Sequence, residues 1–374
     1  MDLAVGVGSR SRMSKTSIQW CDDSSNPVMG CEGCPLFPTP QKVAAAVLKE
    51  LLVFDLPRQQ LKELVDGEFG GRPLSRLYTD RRQIAVKIVK RLKSLGATLN
   101  GLRDIIWRAI ASAVRCYAAN LHLRWSSKPD GRRGNPGFAP WFEELTLFPG
   151  RMAKTAKQPS LKGGARPSKP WLDGMPRLVF VSDMGDALSK GVSFDYLKAE
   201  IIDAVVSREG RRHVWLWLTK RPKRMAAFAA WLRLRGMEWP ENLVPMTSVL
   251  DAKMAVHVKY LREIPAKIRG LSVEPLWGPV ELDLRGIDWV IVGGESGPYA
   301  KEFHLEWARA LRDQCRREGK AFFLKQLGRR PVDGGSSLSL KDPHGGDWSE
   351  WPEDLRIREM PPGFHDMEEI QIEI

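Results

Sequence analysis

Leu178-Val-Phe-Val181 runs into Ser182-Asp-Met-Gly-Asp186, and His213-Val-Trp-Leu-Trp-Leu218 runs into Thr219-Lys-Arg221. In both places a short apolar run breaks off into polar groups. Such runs lack the alternation of a half-exposed strand, which marks strands covered on both faces. The pattern recurs at Leu243-Val-Pro-Met-Thr-Ser-Val249, Ile268-Arg-Gly-Leu-Ser-Val273, Ile287-Asp-Trp-Val-Ile-Val292 and Ala321-Phe-Phe-Leu324. Helical stretches at Tyr196 to Val206, Pro222 to Leu234 and Leu305 to Glu318 lie between several of these runs. Strands alternating with helices imply right-handed βαβ units and a parallel sheet. Thr16-Ser-Ile-Gln-Trp20 reads as one further strand upstream. About seven strands fall short of the eight of a closed barrel, so the expected class is α/β, a partial or irregular (β/α) barrel of parallel strands.

Outward from this core, Gln41 to Leu123 reads almost wholly helical. Its last helix is the clearest, with Leu102, Ile105, Ile106, Ala109, Ile110 and Ala113 spaced as one buried stripe. The expected organisation is a single barrel-like domain over 14–342 with a helical insertion at 35–115. Residues 126–177 form a basic Gly/Pro-rich loop region, with ten Lys/Arg against four Asp/Glu in the stretch. Residues 1–13 lack periodicity and read as a disordered extension, with Met13 a usable start. An acidic tail spans 343–374, with nine acidic residues and two basic.

The 374 residues are 43% hydrophobic and 28% charged, which excludes whole-chain disorder, collagen and coiled coil. Lys and Arg number 58 against 45 Asp and Glu, a net of +13, and the acidic tail masks a body near +20. That field suits a polyanionic substrate or partner. No window approaches the roughly 20 apolar residues of a membrane span, and the start lacks a signal-peptide apolar core. The expected compartment is the cytoplasm, with no membrane contact. Thiols stay reduced there, so clustered cysteines read first as metal or redox ligands.

In parallel α/β folds, functional groups collect where strands run out into loops. Nearly every such end here is polar: Cys21-Asp-Asp, Ser182-Asp183-Met184-Gly-Asp186, Thr219-Lys220-Arg221, Thr247-Ser248, Ser272-Val-Glu274, Gly293-Gly-Glu295-Ser-Gly297 and Lys325-Gln326. Together they resemble the rim of an active site. Cys31-x-x-Cys34 has the spacing of one metal knuckle, but no second pair follows at zinc-finger distance, and structural or redox-pair readings stay open. Cys116 falls two heptads after Leu102, the place of a small hydrophobe on the helix's buried face. Cys315 reads as structural, and Cys21 as a candidate strand-end ligand.

Several segments, in order, resemble a known family. They are Thr16–Trp20, Asn26-Pro-Val-Met-Gly-Cys31-Glu-Gly-Cys34, Cys116-Tyr-Ala118, Lys169–Arg177, Val181–Asp186, Leu218–Pro222, Leu271–Pro275, Val292–Pro298 and Lys325-Gln-Leu-Gly328. The chain resembles the phage-associated three-cysteine-motif proteins, which look like divergent relatives of the radical S-adenosylmethionine enzymes. That resemblance maps the metal ligands onto Cys31, Cys34 and Cys116, implying a 4Fe-4S cluster with one open iron and S-adenosylmethionine as cofactor. Here the helical segment separates the third cysteine from the first two, whereas the usual radical enzyme packs all three into one short loop. The family analogy gives Asp183, Met184, Asp186 and Glu274 to cofactor binding and Lys220, Glu295 and Lys325 to catalysis. Arg221 joins the lysines as a group for a carboxylate or phosphate. Implied partners are a nucleic acid or nucleotide substrate, an electron donor such as flavodoxin or ferredoxin, and a protein encoded nearby.

Plainer readings accompany these. Asp183 or Asp186 serves equally as a helix cap, Gly293–Gly297 as a tight turn, and the Trp215 and Trp217 pair as core. The basic residues of 126–177 serve as a solvated loop. The competing function is a non-catalytic nucleic-acid-binding protein with structural zinc on the same three cysteines and His122. A hydrolase using strand-end carboxylates and a divalent metal ranks third, since no P-loop or Gly-x-Ser-x-Gly elbow is present.

Overall fold

A computed structural model describes residues 4–5, 18–31, 40–52, 56–71, 77, 80–96, 102–113, 116, 118–119, 121–122, 139, 142, 144–297 and 299–366. The chain divides into two compact units, Met1–Ser11 with Val28–Leu147, and Arg12–Pro27 with Phe148–Ile374.

The first unit is mainly helical. Four helices are described: α1 (Pro40–Leu51), α2 (Arg58–Phe69), α3 (Arg81–Ser94) and α4 (Leu102–Ala113). Each of the first three buries one stripe, as Val43, Val47 and Leu51 do on α1 and Ile84, Ile88 and Leu92 on α3. A small sheet joins Ala4–Val5 and Val28–Met29 to either side of Thr146–Leu147. Apart from Ala4–Val5, the expected disordered extension lies outside the described residues.

The second unit holds a seven-stranded, all-parallel sheet whose spatial order follows the chain. Its strands are β1 (Asp23–Ser25), β2 (Arg177–Val181), β3 (His213–Thr219), β4 (Leu243–Ser248), β5 (Gly270–Val273), β6 (Trp289–Gly293) and β7 (Ala321–Gln326). Helix α5 (Arg151–Ala156) precedes β2. A helix running through Phe194–Leu197, a π turn at Lys198–Ile202 and Asp203–Val206 (α6) links β2 to β3. Helices α7 (Pro222–Arg233), α8 (His257–Arg262) and α9 (Leu305–Glu318) follow β3, β4 and β6.

The sheet curls. Flat, β1 and β6 would lie five strand spacings apart, about 24 Å. Yet Trp20, three residues before β1, meets Trp289 of β6 edge-on with ring centroids 6.2 Å apart. Leu178, Phe180, Leu216, Met246, Ile291 and Phe323 join the same apolar cluster, so strands from both edges share one interior. Burying each such side chain contributes roughly 1.5–3 kcal/mol. Gly270 leaves room there, since a Cβ at that position would sit 3.0 Å from Met246 Cε. Trp215 and Trp217 occupy the alternate register and are fully buried, Trp217 stacking on Trp239, as the core reading expects.

Two expectations change. Ile18–Trp20 is not a strand; β1 begins at Asp23, and Trp20 plugs the interior instead. The basic residues Arg166, Lys169 and Arg177 are buried rather than solvated. Arg166 donates to Asp22 Oδ1 at 3.1 Å and to the carbonyls of Leu172, Met175 and Pro176. Lys169 Nζ donates to Ile18 and Cys21 carbonyls, and Arg177 pairs with Asp23. The acidic tail, as far as residue 366, packs on the edge of β7. Leu324 N–H donates to the Ile357 carbonyl at 2.9 Å, and Trp351, Leu355 and Phe364 are buried.

Candidate functional site

The interior of the second unit changes character along the strands. Towards the N-terminal ends it is apolar; towards the C-terminal ends the inward register carries Ser248 and Ser272, paired across β4 and β5, and beyond them Glu274. Ser182 directly follows β2, and Asn26 directly follows β1. These groups form a polar mouth over an apolar floor.

Asn26 organises one side of the mouth. Its Nδ2 donates to Asp183 Oδ1, and its Oδ1 accepts the Met184 N–H at 2.8 Å, which fixes the amide orientation. Arg151, at the start of α5, donates to the Asn26 carbonyl at 3.1 Å, and Glu200 takes the Gly150 and Met152 N–H groups at that helix end. Burial pushes the Asp183 carboxyl above its ordinary range, opposed by hydrogen bonds from Asn26 and Ser24. Burial also pulls the Arg151 guanidinium down to about 10. Ser182 is the only non-glycine with positive φ among the described residues, at 74°, and its buried Oγ has no partner there. Left-handed backbone at a serine is strain of the kind that collects at functional sites.

Asp186 plays a different part. Its buried carboxylate accepts from Leu188 N–H, Thr219 Oγ1, Lys220 N–H and Arg221 Nη1, so it binds the β2 loop to the end of β3. Arg221 is thereby held by Asp186 at 3.1 Å.

Opposite lie Glu274 and Lys325, an ion pair at 3.1 Å with side chains 11% and 23% exposed. Gly293 makes that pair possible, because a Cβ there would stand 2.7 Å from Glu274 Oε1. Glu295 belongs to a neighbouring cluster, accepting from Trp277 Nε1 at 3.2 Å and Lys301 N–H at 3.1 Å while the Lys301 ammonium covers the Trp277 ring. The structure thus brings Asp183 and Met184 together on Asn26, and Glu274 together with Lys325.

Sequence reasoning missed His257. It opens α8 beyond the end of β4, and its Nδ1 lies 3.1 Å from the Ser248 carbonyl. A carbonyl only accepts, so Nδ1 carries the proton and Nε2 keeps its lone pair. Burial lowers the His257 pKa, the Ser248 bond raises it, and the charge of Lys220 lowers it again, favouring the neutral ring. Ser248 Oγ is buried without a partner among the described residues. The one available signal was position, a histidine in a loop that leaves a parallel strand.

The cysteines sort by environment. Burial pushes Cys21 well above the usual thiol range and Cys315 up to about 12, so both stay protonated core thiols. In the first unit Cys31 is buried and its N–H donates to the Phe142 carbonyl at 2.8 Å. Cys116 lies beyond α4, half-buried rather than on its apolar stripe, and its Sγ accepts the Ala119 N–H at 3.4 Å. Such N–H···S bonds favour a thiolate and suit a cluster ligand. Cys34 lies outside the described residues, among which no three His, Cys, Asp or Glu side chains gather as a metal-ligand set. Also in that unit, His122 is buried, Nε2 2.7 Å from the Ala139 carbonyl. No helix among the described residues is long and apolar enough to cross a membrane.

Fold and mouth together define an α/β protein with a curled parallel sheet whose polar groups converge at the strand ends. The chain belongs to the DUF5131 family, a protein family of unknown function, whose model matches residues 108–352. That match covers Cys116 and every strand-end group from Asp183 to Lys325, and leaves Cys31 and Cys34 upstream. No curated protein and no solved structure matches the chain.

Proposed function

We propose that this chain is a cytoplasmic, phage-type radical S-adenosylmethionine enzyme acting on a nucleic acid or nucleotide. In this reading its body is a partial (β/α) barrel into which the helices of 35–115 are inserted. The observation that carries the proposal is the mouth, where a strained Ser182, the Asn26–Asp183 pair, the Glu274–Lys325 pair and a neutral His257 stand at strand ends. Strand ends are where parallel α/β enzymes bind their ligands.

Cys31, Cys34 and Cys116 would hold a 4Fe-4S cluster, which with S-adenosylmethionine supplies one-electron chemistry. The raised thiol pKa values of Cys21 and Cys315 and the N–H···S bond to Cys116 support that choice of ligands. Asp183 receives an ammonium group: a cation there offsets the burial that raises its pKa, so ligand binding and ionisation are coupled. Met184 and Asp186 hold that loop in place, and Glu274 faces ligand hydroxyls. Lys220 and Lys325 attract a carboxylate or phosphate, and Glu295 sets the loop after β6. His257 Nε2 accepts a proton. A flavodoxin or ferredoxin supplies electrons, and a protein encoded nearby is the expected partner.

Anaerobic purification with iron and sulfide reconstitution tests the proposal. The expected result is a brown protein with sulfur-to-iron charge-transfer absorption and about four irons per chain, both lost when Cys31, Cys34 and Cys116 become Ala. A colourless product, or stoichiometric zinc without iron, overturns it.

A further inference from the structure

Helix α3 of the first unit reads Arg-Arg-Gln-Ile-Ala-Val-Lys-Ile-Val-Lys-Arg-Leu-Lys-Ser, with six basic residues and no acidic one. Its apolar side is spent: Ile84, Ala85, Ile88 and Leu92 are buried to 1% exposure or less. Arg82, Lys87, Lys90, Arg91 and Lys93 are all exposed. Helical geometry places Lys87, Lys90 and Lys93 opposite the buried stripe, with Arg82 and Arg91 on its two flanks, the five spread over about 16 Å of helix axis. Among the described residues, Lys87 alone of the five makes an ion pair, a long one of 3.9 Å to Glu68. Five like charges on one short helix repel each other, and the described residues supply little to offset that repulsion.

We infer that this face of α3 is a docking surface for the phosphate backbone of a nucleic acid, bound without base readout. Charge complementarity makes the argument, since a row of cations meets a polyanion and gains by displacing its counterions. A lipid surface fits less well. A membrane-bound helix needs a broad free apolar face to enter the acyl boundary, and the apolar stripe of α3 is already packed in its own unit, leaving Val86 as its one exposed apolar side chain. Gln83 and Ser94 are the neutral polar side chains on the exposed face, too few for sequence recognition. The inference does not depend on a cluster or on catalysis, so it stands or falls apart from the proposed activity.

The test is fluorescence anisotropy of the full chain with a labelled DNA duplex, across a salt series. Wild type is expected to bind with a log K against log salt slope reaching about −4.5 from these five charges. Changing Arg82, Lys87, Lys90, Arg91 and Lys93 to Gln is expected to weaken binding at least tenfold and to flatten the slope. A smaller variant, Lys87→Gln with Lys90→Gln, is expected to remove about 1.8 from the slope and guards against misfolding of the larger one. A control with Lys253, Lys267, Arg316, Arg317 and Lys341 changed to Gln loses the same charge from exposed positions of the second unit. It is expected to bind within about threefold of wild type. Equal loss in the control, no binding at low salt, or binding to phosphatidylserine vesicles in place of the duplex overturns the inference.

Discussion

The two ends of the seven-stranded sheet are built on opposite terms. At the N-terminal ends charges are buried and matched, Arg166 with Asp22, Arg177 with Asp23 and Lys169 with two carbonyls, while His213 Nδ1 and Arg212 Nε are buried there without partners among the described residues. At the C-terminal ends the same strands leave Ser182 Oγ and Ser248 Oγ without partners among the described residues, Ser182 in left-handed backbone, and a carboxyl held above its ordinary pKa. Both ends leave buried polar atoms open, so what sets the C-terminal end apart is the left-handed strain at Ser182 and the raised Asp183 carboxyl. The comparison separates a floor that holds the fold from the mouth to which the proposed function assigns ligand binding.

The largest effect should come from the floor. Arg166→Ala leaves Asp22 buried and three carbonyls without their donor, and is expected to cost about 3–5 kcal/mol in urea unfolding. A loss under about 1 kcal/mol would remove the contrast between the ends. Next comes His213, at the start of β3, with Nε2 2.9 Å from the Ala156 carbonyl. Burial, then the charges of Arg177 and Arg212, pull its pKa to about 4. The unfolded chain takes a proton near pH 6.5, the folded one only near 4, so stability present above pH 6.5 is lost as pH falls through that window. The loss is roughly 3 kcal/mol, and His213→Gln should remove it from the pH profile. Identical profiles for the two proteins would contradict the assignment. The smallest effect belongs to the mouth, where Ser182→Gly relieves the left-handed strain and is expected to raise stability by about 1 kcal/mol. A destabilised variant would mean that the hydroxyl is doing structural service.

Six of the seven strands were legible because both their faces are covered, which writes them as unbroken apolar runs. β1 was not: Asp23, Ser24 and Ser25 are polar and are held by Arg177, by Asp183 and by Thr155. Trp20, the residue that made the upstream segment look like a strand, belongs to the interior packing. The strand-end groups were legible as a list but not as pairs, since Asn26 meets Asp183 across the paired β1 and β2, and Glu274 meets Lys325 across β6, contacts that depend on strand order rather than on local sequence. Composition alone misplaced Arg166, Lys169 and Arg177, because partners that bury a charge lie far along the chain.

The claim at the centre is that the mouth binds and the floor does not. Calorimetric titration of the anaerobically reconstituted protein with S-adenosylmethionine tests it most directly, comparing wild type with Asp183→Asn and with the floor variant His213→Gln. The account predicts saturable one-to-one binding, weakened at least tenfold by Asp183→Asn and unchanged by His213→Gln. No binding to the cluster-loaded protein, or equal affinity in wild type and Asp183→Asn, would contradict it.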